Sequence, residues 1–336
     1  MDNEKKDLRH HEGTSLSFYD YNAMKLARTA LVTSLASFQP RSVVSFTPRS
    51  RTLGIYDDVF GSFRLRSKMT ANDANETKER RLIKGVLFDM DGTLLDTEPL
   101  GCKAVYLTLK DQIDSDVIRK ERDNSHFVVD ETNNFYAMPW ELKRQTLGLP
   151  GLSWSKLVLE YAKQNWGVED PPSVEEFLLQ WDRHHHSHLD QVGKCDGAAE
   201  LVDNLYRRKL PLAIATSSKY ESVKLKRQQH EDMFAKIHHI VATDDPAVTN
   251  GKPAPDIYLE AARRINVDPT ECIVFEDGLP GVKAGKAAGC FVVVVPDQRL
   301  SEAERVTFEQ QADLVLDSLS DFDFATVKFS SPQSNS

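Results

Sequence analysis

The chain has 336 residues, 40% hydrophobic and 28% charged, a balance that excludes fibrous and wholly disordered classes. Its formal net charge of −9 argues against general affinity for nucleic acid, which needs a basic surface to displace counterions. No apolar run approaches the roughly 20 residues of a membrane-spanning helix, and Cys102, Cys195, Cys272 and Cys290 lack CxxC spacing, so no membrane anchor, zinc site or disulfide framework is expected.

Residues 1–80 are rich in Ser, Thr and Arg without a sustained apolar period, and read as a disordered tail. Within them, residues 24–68 carry eight basic residues, from Lys25 to Lys68, against only Asp57 and Asp58. Such a stretch resembles an organelle presequence, although the acidic residues 1–22 precede it. Two readings stand: a cytoplasmic protein with a solvated tail, or one addressed to a mitochondrion or plastid.

From Arg81 the texture changes. Leu82-Ile-Lys-Gly-Val-Leu-Phe-Asp89 is a short apolar run ending in an acid and a glycine turn, which reads as a buried strand. Residues 97–192 are polar and helical, with helices expected over 99–112, 140–147, 153–166 and 173–188, and form a separate inserted module. After Pro211, strands at 212–216, 239–242, 272–275, 291–295 and 312–316 alternate with helices at 219–229, 255–265 and 280–288. Strands apolar at every position and separated by helices describe a parallel sheet covered on both faces, here an α/β core of residues 81–96 and 193–327. Ligands of such sheets bind beyond the carboxyl ends of the strands.

Four polar features fall at those ends. In Asp89-Met-Asp91-Gly-Thr93 a carboxylate is already ionised and can form an acyl-phosphate without an activating base, though a DxDG turn can equally cap a strand. Two such charges beside a phosphate dianion imply a divalent cation, and Mg2+ suits oxygen ligands supplied partly by water and phosphate. The hydroxyls of Thr216-Ser217-Ser218 can donate to a phosphoryl oxygen or cap the next helix. Lys252 stands between a glycine and the prolines that open a helix, where its ammonium could neutralise both Asp89 and a phosphate, although a lone lysine is ordinarily solvated. Glu276 and Asp277 at the tip of a buried strand are costly unless paired or bound to metal. The small-residue row Gly281, Ala284, Gly285 and Ala288 reads as structural, letting a helix lie close to the sheet.

Together, Asp89-Met-Asp-Gly-Thr-Leu-Leu-Asp-Thr-Glu98, Ala215-Thr216-Ser, Gly251-Lys252-Pro-Ala-Pro-Asp and Phe275-Glu276-Asp277-Gly resemble the signature of the haloacid dehalogenase-like hydrolase superfamily. The resemblance runs from about Leu82 to Leu316 and implies a Rossmann-like core with an inserted helical cap. Carried over by position, Asp89 would be the nucleophile and Asp91 the acid and then the base. Thr216 and Lys252 would bind the phosphoryl oxygens, with Thr93 and Ser217 counted beside them. Mg2+ would be held by Asp89, the Asp91 backbone carbonyl and Asp277, with Glu276 acting through water. Members that act on carbon lack an acid at the position of Asp91, so the phosphatase and mutase branch is indicated. Lys226-Arg-Gln-Gln-His230, Thr243-Asp-Asp-Pro246 and Val295-Pro-Asp297 further resemble the pseudouridine-5′-phosphatase and plant glycerol-3-phosphatase-like branch. The expected partner is a small phosphorylated metabolite, with no nucleic acid or membrane, and the protein is expected to be a monomer.

Two other functions compete. A sugar-phosphate mutase shares all four motifs, but that branch carries an arginine and an acid in the early cap, and Gly148-Leu-Pro-Gly-Leu-Ser-Trp154 has neither. A non-catalytic binding protein would have lost a catalytic position, and none is lost. The run His184, His185, His186 and His188 reads as a solvated cap face, because only i, i+4 neighbours share a side. Trp154, Trp166 and Trp181 read as packing of the cap.

Overall fold

Apolar runs buried at every position become the strands of one sheet in the computed structural model, which describes residues 80–119, 126–147, 149 and 151–330. The expectations for residues 1–79 lie outside the described residues. The strands are β1 (Gly85–Phe88), β2 (Leu212–Thr216), β3 (His239–Ala242), β4 (Cys272–Glu276), β5 (Phe291–Val294) and β6 (Leu314–Val315). The helices are α1 (Glu98–Leu109), α2 (Trp140–Thr146), α3 (Gly151–Asn165), α4 (Val174–His186), α5 (Ala198–Arg207), α6 (Tyr220–Lys226), α7 (Glu231–Phe234), α8 (Asp256–Arg264), α9 (Leu279–Ala287) and α10 (Glu302–Gln311).

All six strands pair in parallel, in the spatial order β6-β5-β4-β1-β2-β3. This is the doubly wound order, and it reverses direction between β1 and β4, where a crevice opens beyond the strand ends. Side chains alternate between two cores, as the period of an extended strand requires. Val86, Phe88, Ile214 and Phe275 pack with Leu201 and Leu205 of α5 on one face. Leu87, Ala213, Val274 and Val292 pack with Ile257 and Ala261 of α8 and Val282 of α9 on the other.

The first apolar run divides at Lys84: Leu82–Ile83 pairs with Lys328–Phe329 at the chain's far end, and β1 enters the main sheet. The chain leaves the core through Leu95–Asp96 and returns through Gly193–Lys194, and these two crossings pair antiparallel. Between them the four expected helices form, with the first ending three residues short of the expected 112 and the other ends within two residues of those read from the sequence. A three-stranded sheet joins them, in which Ile118–Arg119 runs parallel to Phe127–Asp130 and Phe127–Asp130 antiparallel to Phe135–Ala137. Its apolar residues Phe127, Val129 and Tyr136 pack against Val105, Val158, Trp166 and Phe177, a core separate from those of the main sheet.

Candidate active site

Asp89 leaves β1 directly, and its backbone N–H donates to the Phe275 carbonyl at 2.9 Å, tying the end of β1 to β4. The chain then folds back as Leu94 and Leu95 donate to the Met90 carbonyl. Gly92 takes φ 86°, a region that favours glycine, and a Cβ there would meet Asp277 Oδ2 at 2.3 Å. The motif glycine therefore serves both the turn and the approach of Asp277.

Lys252 reaches this point from the loop before α8, a loop braced by Asn250, which donates through its backbone N–H and side-chain amide to Asp256 Oδ2. Its Nζ donates to Asp89 Oδ1 and, at 2.7 Å, to Glu276 Oε1. The side chains of Lys252, Asp89 and Glu276 are 6%, 8% and 2% exposed, so this is a buried ion cluster rather than a surface pair. Glu276 Oε1 also accepts from Tyr258 OH at 2.6 Å, and Oε2 accepts from the backbone N–H of Asp277 and Gly278 at 3.0 and 3.2 Å. Both oxygens of Glu276 are thus committed to protein donors.

Asp89, Glu276 and Asp277 each present a carboxylate oxygen within 4.8 Å of the others. Burial pushes the Asp89 carboxyl up to about 7, against the pull of Lys252 and with help from Glu276 and Asp91. Burial first, then Glu276 and Asp89, hold the Asp277 carboxyl well above the usual carboxylate range. Burial works against the Lys252 charge, yet Asp89 and Glu276 outweigh it and keep the ammonium above its ordinary value. One ammonium among three carboxylates leaves negative charge over, and a cation would return Asp89 and Asp277 to their ionised forms. A donor set made of carboxylate oxygens fits a hard divalent ion such as Mg2+.

Asp91 is held by a second set of donors. Lys226 Nζ donates to its Oδ1 at 2.6 Å, and Ser218 Oγ to its Oδ2 at 2.7 Å. Lys226 Nζ also donates to Ser218 Oγ at 2.8 Å, and Thr216 Oγ1 stands 3.4 Å from Asp91 Oδ2. Of the residues expected at the site, Asp89, Asp91, Thr216, Lys252, Glu276 and Asp277 converge, whereas Thr93 and Ser217 stand outside the network. Thr93 is 1% exposed, and its Oγ1 finds no hydrogen-bond partner among the described residues. Ser217 is exposed, because side chains alternate at the end of β2 so that 216 and 218 share a side. Ser218 supplies the hydroxyl instead.

Lys226 and Tyr258 were not legible as site residues, since a single Lys or Tyr carries no spacing signal until the fold brings it to a carboxylate, and Ser218 was legible only as one of three neighbouring hydroxyls. Gly281 is more than a packing residue: a Cβ there would stand 1.6 Å from Glu276 Oε1. Within the histidine run, His186 is exposed as expected and His185 departs from the solvated face. His185 stacks on Trp181 at 4.7 Å, and burial, then the Lys226 ammonium, push its imidazole down to about 4. Trp181 Nε1 donates to the Gly101 carbonyl of α1 at 3.1 Å, which ties this pair to the first helix of the inserted module. A cavity of about 290 Å3 lined by Asp96, Glu98, Tyr136, Trp140 and Arg299 includes none of the cluster residues and lies where the inserted sheet meets the linker.

The profile of the haloacid dehalogenase-like hydrolase family matches residues 83–289, and the chain belongs to that family. Among its relatives, "(DL)-glycerol-3-phosphatase 2" of Arabidopsis thaliana is 34% identical over 255 residues, covering 75% of this chain and 94% of that protein. "Probable pseudouridine-5′-phosphatase" of Drosophila melanogaster is 35% identical over 248 residues, covering 73% and 94%. A crystal structure of a family hydrolase from Deinococcus radiodurans R1 shares the fold, with a TM-score of 0.52 at 24% identity over 70% of this chain and 90% of that one.

Proposed function

We propose that the chain is a Mg2+-dependent phosphatase of small phosphomonoesters that works through a phosphorylated Asp89. One observation carries this reading: Asp89 after β1, Lys252 after β3 and the Glu276–Asp277 pair at the end of β4 share one buried cluster at the reversal of strand order. Asp89 and Asp277, with the Asp91 backbone carbonyl, would hold the metal. Glu276, whose oxygens are already taken, would orient it through water. The ion would supply charge neutralisation for the transferring phosphoryl group.

A carboxylate oxygen of Asp89 attacks phosphorus, the bond to the leaving oxygen breaks, and Asp91 gives that oxygen a proton. Asp91 then takes a proton from a water whose oxygen attacks phosphorus, releasing phosphate and restoring Asp89. Lys252 and Thr216 balance charge on the phosphoryl oxygens, since catalysis of this transfer is mainly positioning and electrostatics. Residues 97–192 act as a cap over the core formed by 81–96 and 193–327, and the side of the cap that bears Trp181 and His185 faces the leaving group.

The names of the two relatives support glycerol 3-phosphate or pseudouridine 5′-phosphate as the class of substrate. The test is a panel of phosphate esters with purified protein, with Mg2+ and with chelator. Phosphate release should require Mg2+ and fall at least about 1,000-fold in Asp89→Asn, within the span lost when a central catalytic group is removed. Release unaffected by either change would refute the reading. Interconversion of hexose phosphates without free phosphate would move the chain to the mutase class.

A further inference from the structure

Lys226 carries a charge into the protein interior for which the scheme above has no use. Its side chain is 4% exposed, although lysine is among the residues least often buried. It lies in the last turn of α6, and its Nζ meets two acceptors, Asp91 Oδ1 at 2.6 Å and Ser218 Oγ at 2.8 Å. Ser218 in turn donates to the other oxygen of Asp91 at 2.7 Å. The three groups close a ring, and Ser218 is pinned by its own backbone N–H, which donates to Thr216 Oγ1 at 3.0 Å. Each oxygen of Asp91 therefore has a charged or hydroxyl donor on it, and together these fix the plane of the carboxylate. Asp91 itself stands in a turn, with its side chain 28% exposed, and beyond this ring its oxygens have the longer contact of Thr216 Oγ1, at 3.4 Å from Oδ2.

We propose that Lys226 is a positioning residue for the reaction, acting with Ser218 to hold Asp91 where its oxygen meets the leaving group. This rests on the assignment of Asp91 as the acid. Lys226 has no contact with Asp89, whose ammonium partner is Lys252, so the attack on phosphorus and the delivery of a proton are supported by different lysines. A defect at Lys226 falls on both proton transfers of Asp91, to the leaving oxygen and later from water, and leaves the attack by Asp89 in place. The first transfer, which kcat/KM reports, depends on the leaving group, and the second does not. The division has a chemical signature. An alkyl phosphate expels a strongly basic oxygen and needs the proton, whereas an aryl phosphate such as p-nitrophenyl phosphate expels a weakly basic one and does not.

The experiment compares kcat and KM for glycerol 3-phosphate and p-nitrophenyl phosphate in the full chain and in Lys226→Met, Ser218→Ala and Asp91→Asn, with circular dichroism to confirm folding. Lys226→Met should lose about 100-fold or more in kcat/KM on the alkyl ester, within the range of general acid catalysis. It should lose at least about tenfold less in kcat/KM on the aryl ester, while hydrolysis of the phosphorylated Asp89 slows alike for both. Ser218→Ala, a smaller change at a less buried position, should show the same selectivity more weakly and tests the proposal even if Lys226→Met does not fold. Equal losses on the two esters in the folded variants would overturn the proposal, because a merely structural role lowers both alike. A rise in KM with kcat intact would overturn it in favour of direct substrate contact. Asp91→Asn separates the two claims: if it lacks the leaving-group selectivity, the acid assignment fails, and if it alone shows it, only the role of Lys226 fails.

Discussion

Glu276 accepts from Lys252, Tyr258 and the two backbone N–H groups that follow it, and at 2% exposure it has no water to fall back on. A buried carboxylate survives only when its oxygens are filled in this way. The room for it is made by Gly281 on α9, where any side chain would overlap Glu276 Oε1. Gly281→Ala should therefore push Glu276 aside, destabilise the fold by about 1–3 kcal/mol and raise the Mg2+ concentration needed for half-maximal activity. Thermal denaturation and a Mg2+ titration check this, and an unchanged melting temperature with an unchanged Mg2+ response would contradict it. The acids and Lys252 were legible because their spacing from apolar runs put them at strand ends. Lys226 and Tyr258 were not, because each lies inside a helix, away from any strand end, and meets its carboxylate only in the fold.

Helix α8 supplies Tyr258 to the site and is fastened to the core by its own charges. Glu260, buried on this helix, accepts from Arg263 Nε and Arg264 Nε at 2.7 Å each, and Arg264 continues to Asp245. The hydrogen bond from Arg263, opposed by burial and joined by Arg264, lowers the Glu260 carboxyl from 4.5 to about 2. A carboxylate depressed by folding contributes stability that is full above its unfolded value and fades as pH falls toward its folded value. Glu260→Gln should accordingly lower the melting temperature at neutral pH, and the gap to the parent chain should close as pH drops from 4.5 to about 2. A gap that stays constant across this window would contradict the assignment. Elements of the core were legible because continuous apolar runs separated by helices admit few arrangements. The inserted sheet was not, since its strands are two to four residues long and offer too little alternation to separate from loop.

Across the whole molecule, the inserted residues 97–192 and the sheet core meet at a paired crossing and at Arg299, which bonds Glu98 at the start of α1 and Asp297 of the core, and lies over the Trp140 ring at 4.5 Å. The described helices include none long and apolar enough to cross a membrane. Within residues 97–192 the helices were readable and the short strands were not, whereas the polar groups at the strand ends of the core were the most readable part of the chain. All of it depends on the carboxylate that follows β1 accepting a phosphoryl group from substrate. The most direct measurement is rapid acid quench during turnover, followed by mass analysis of the proteolysed chain. The account predicts one phosphoryl group on the peptide that holds Asp89, labile to hydroxylamine and missing from Asp89→Asn. Full phosphate release with no phosphorylated peptide, or a phosphoryl group on a different side chain, would contradict it.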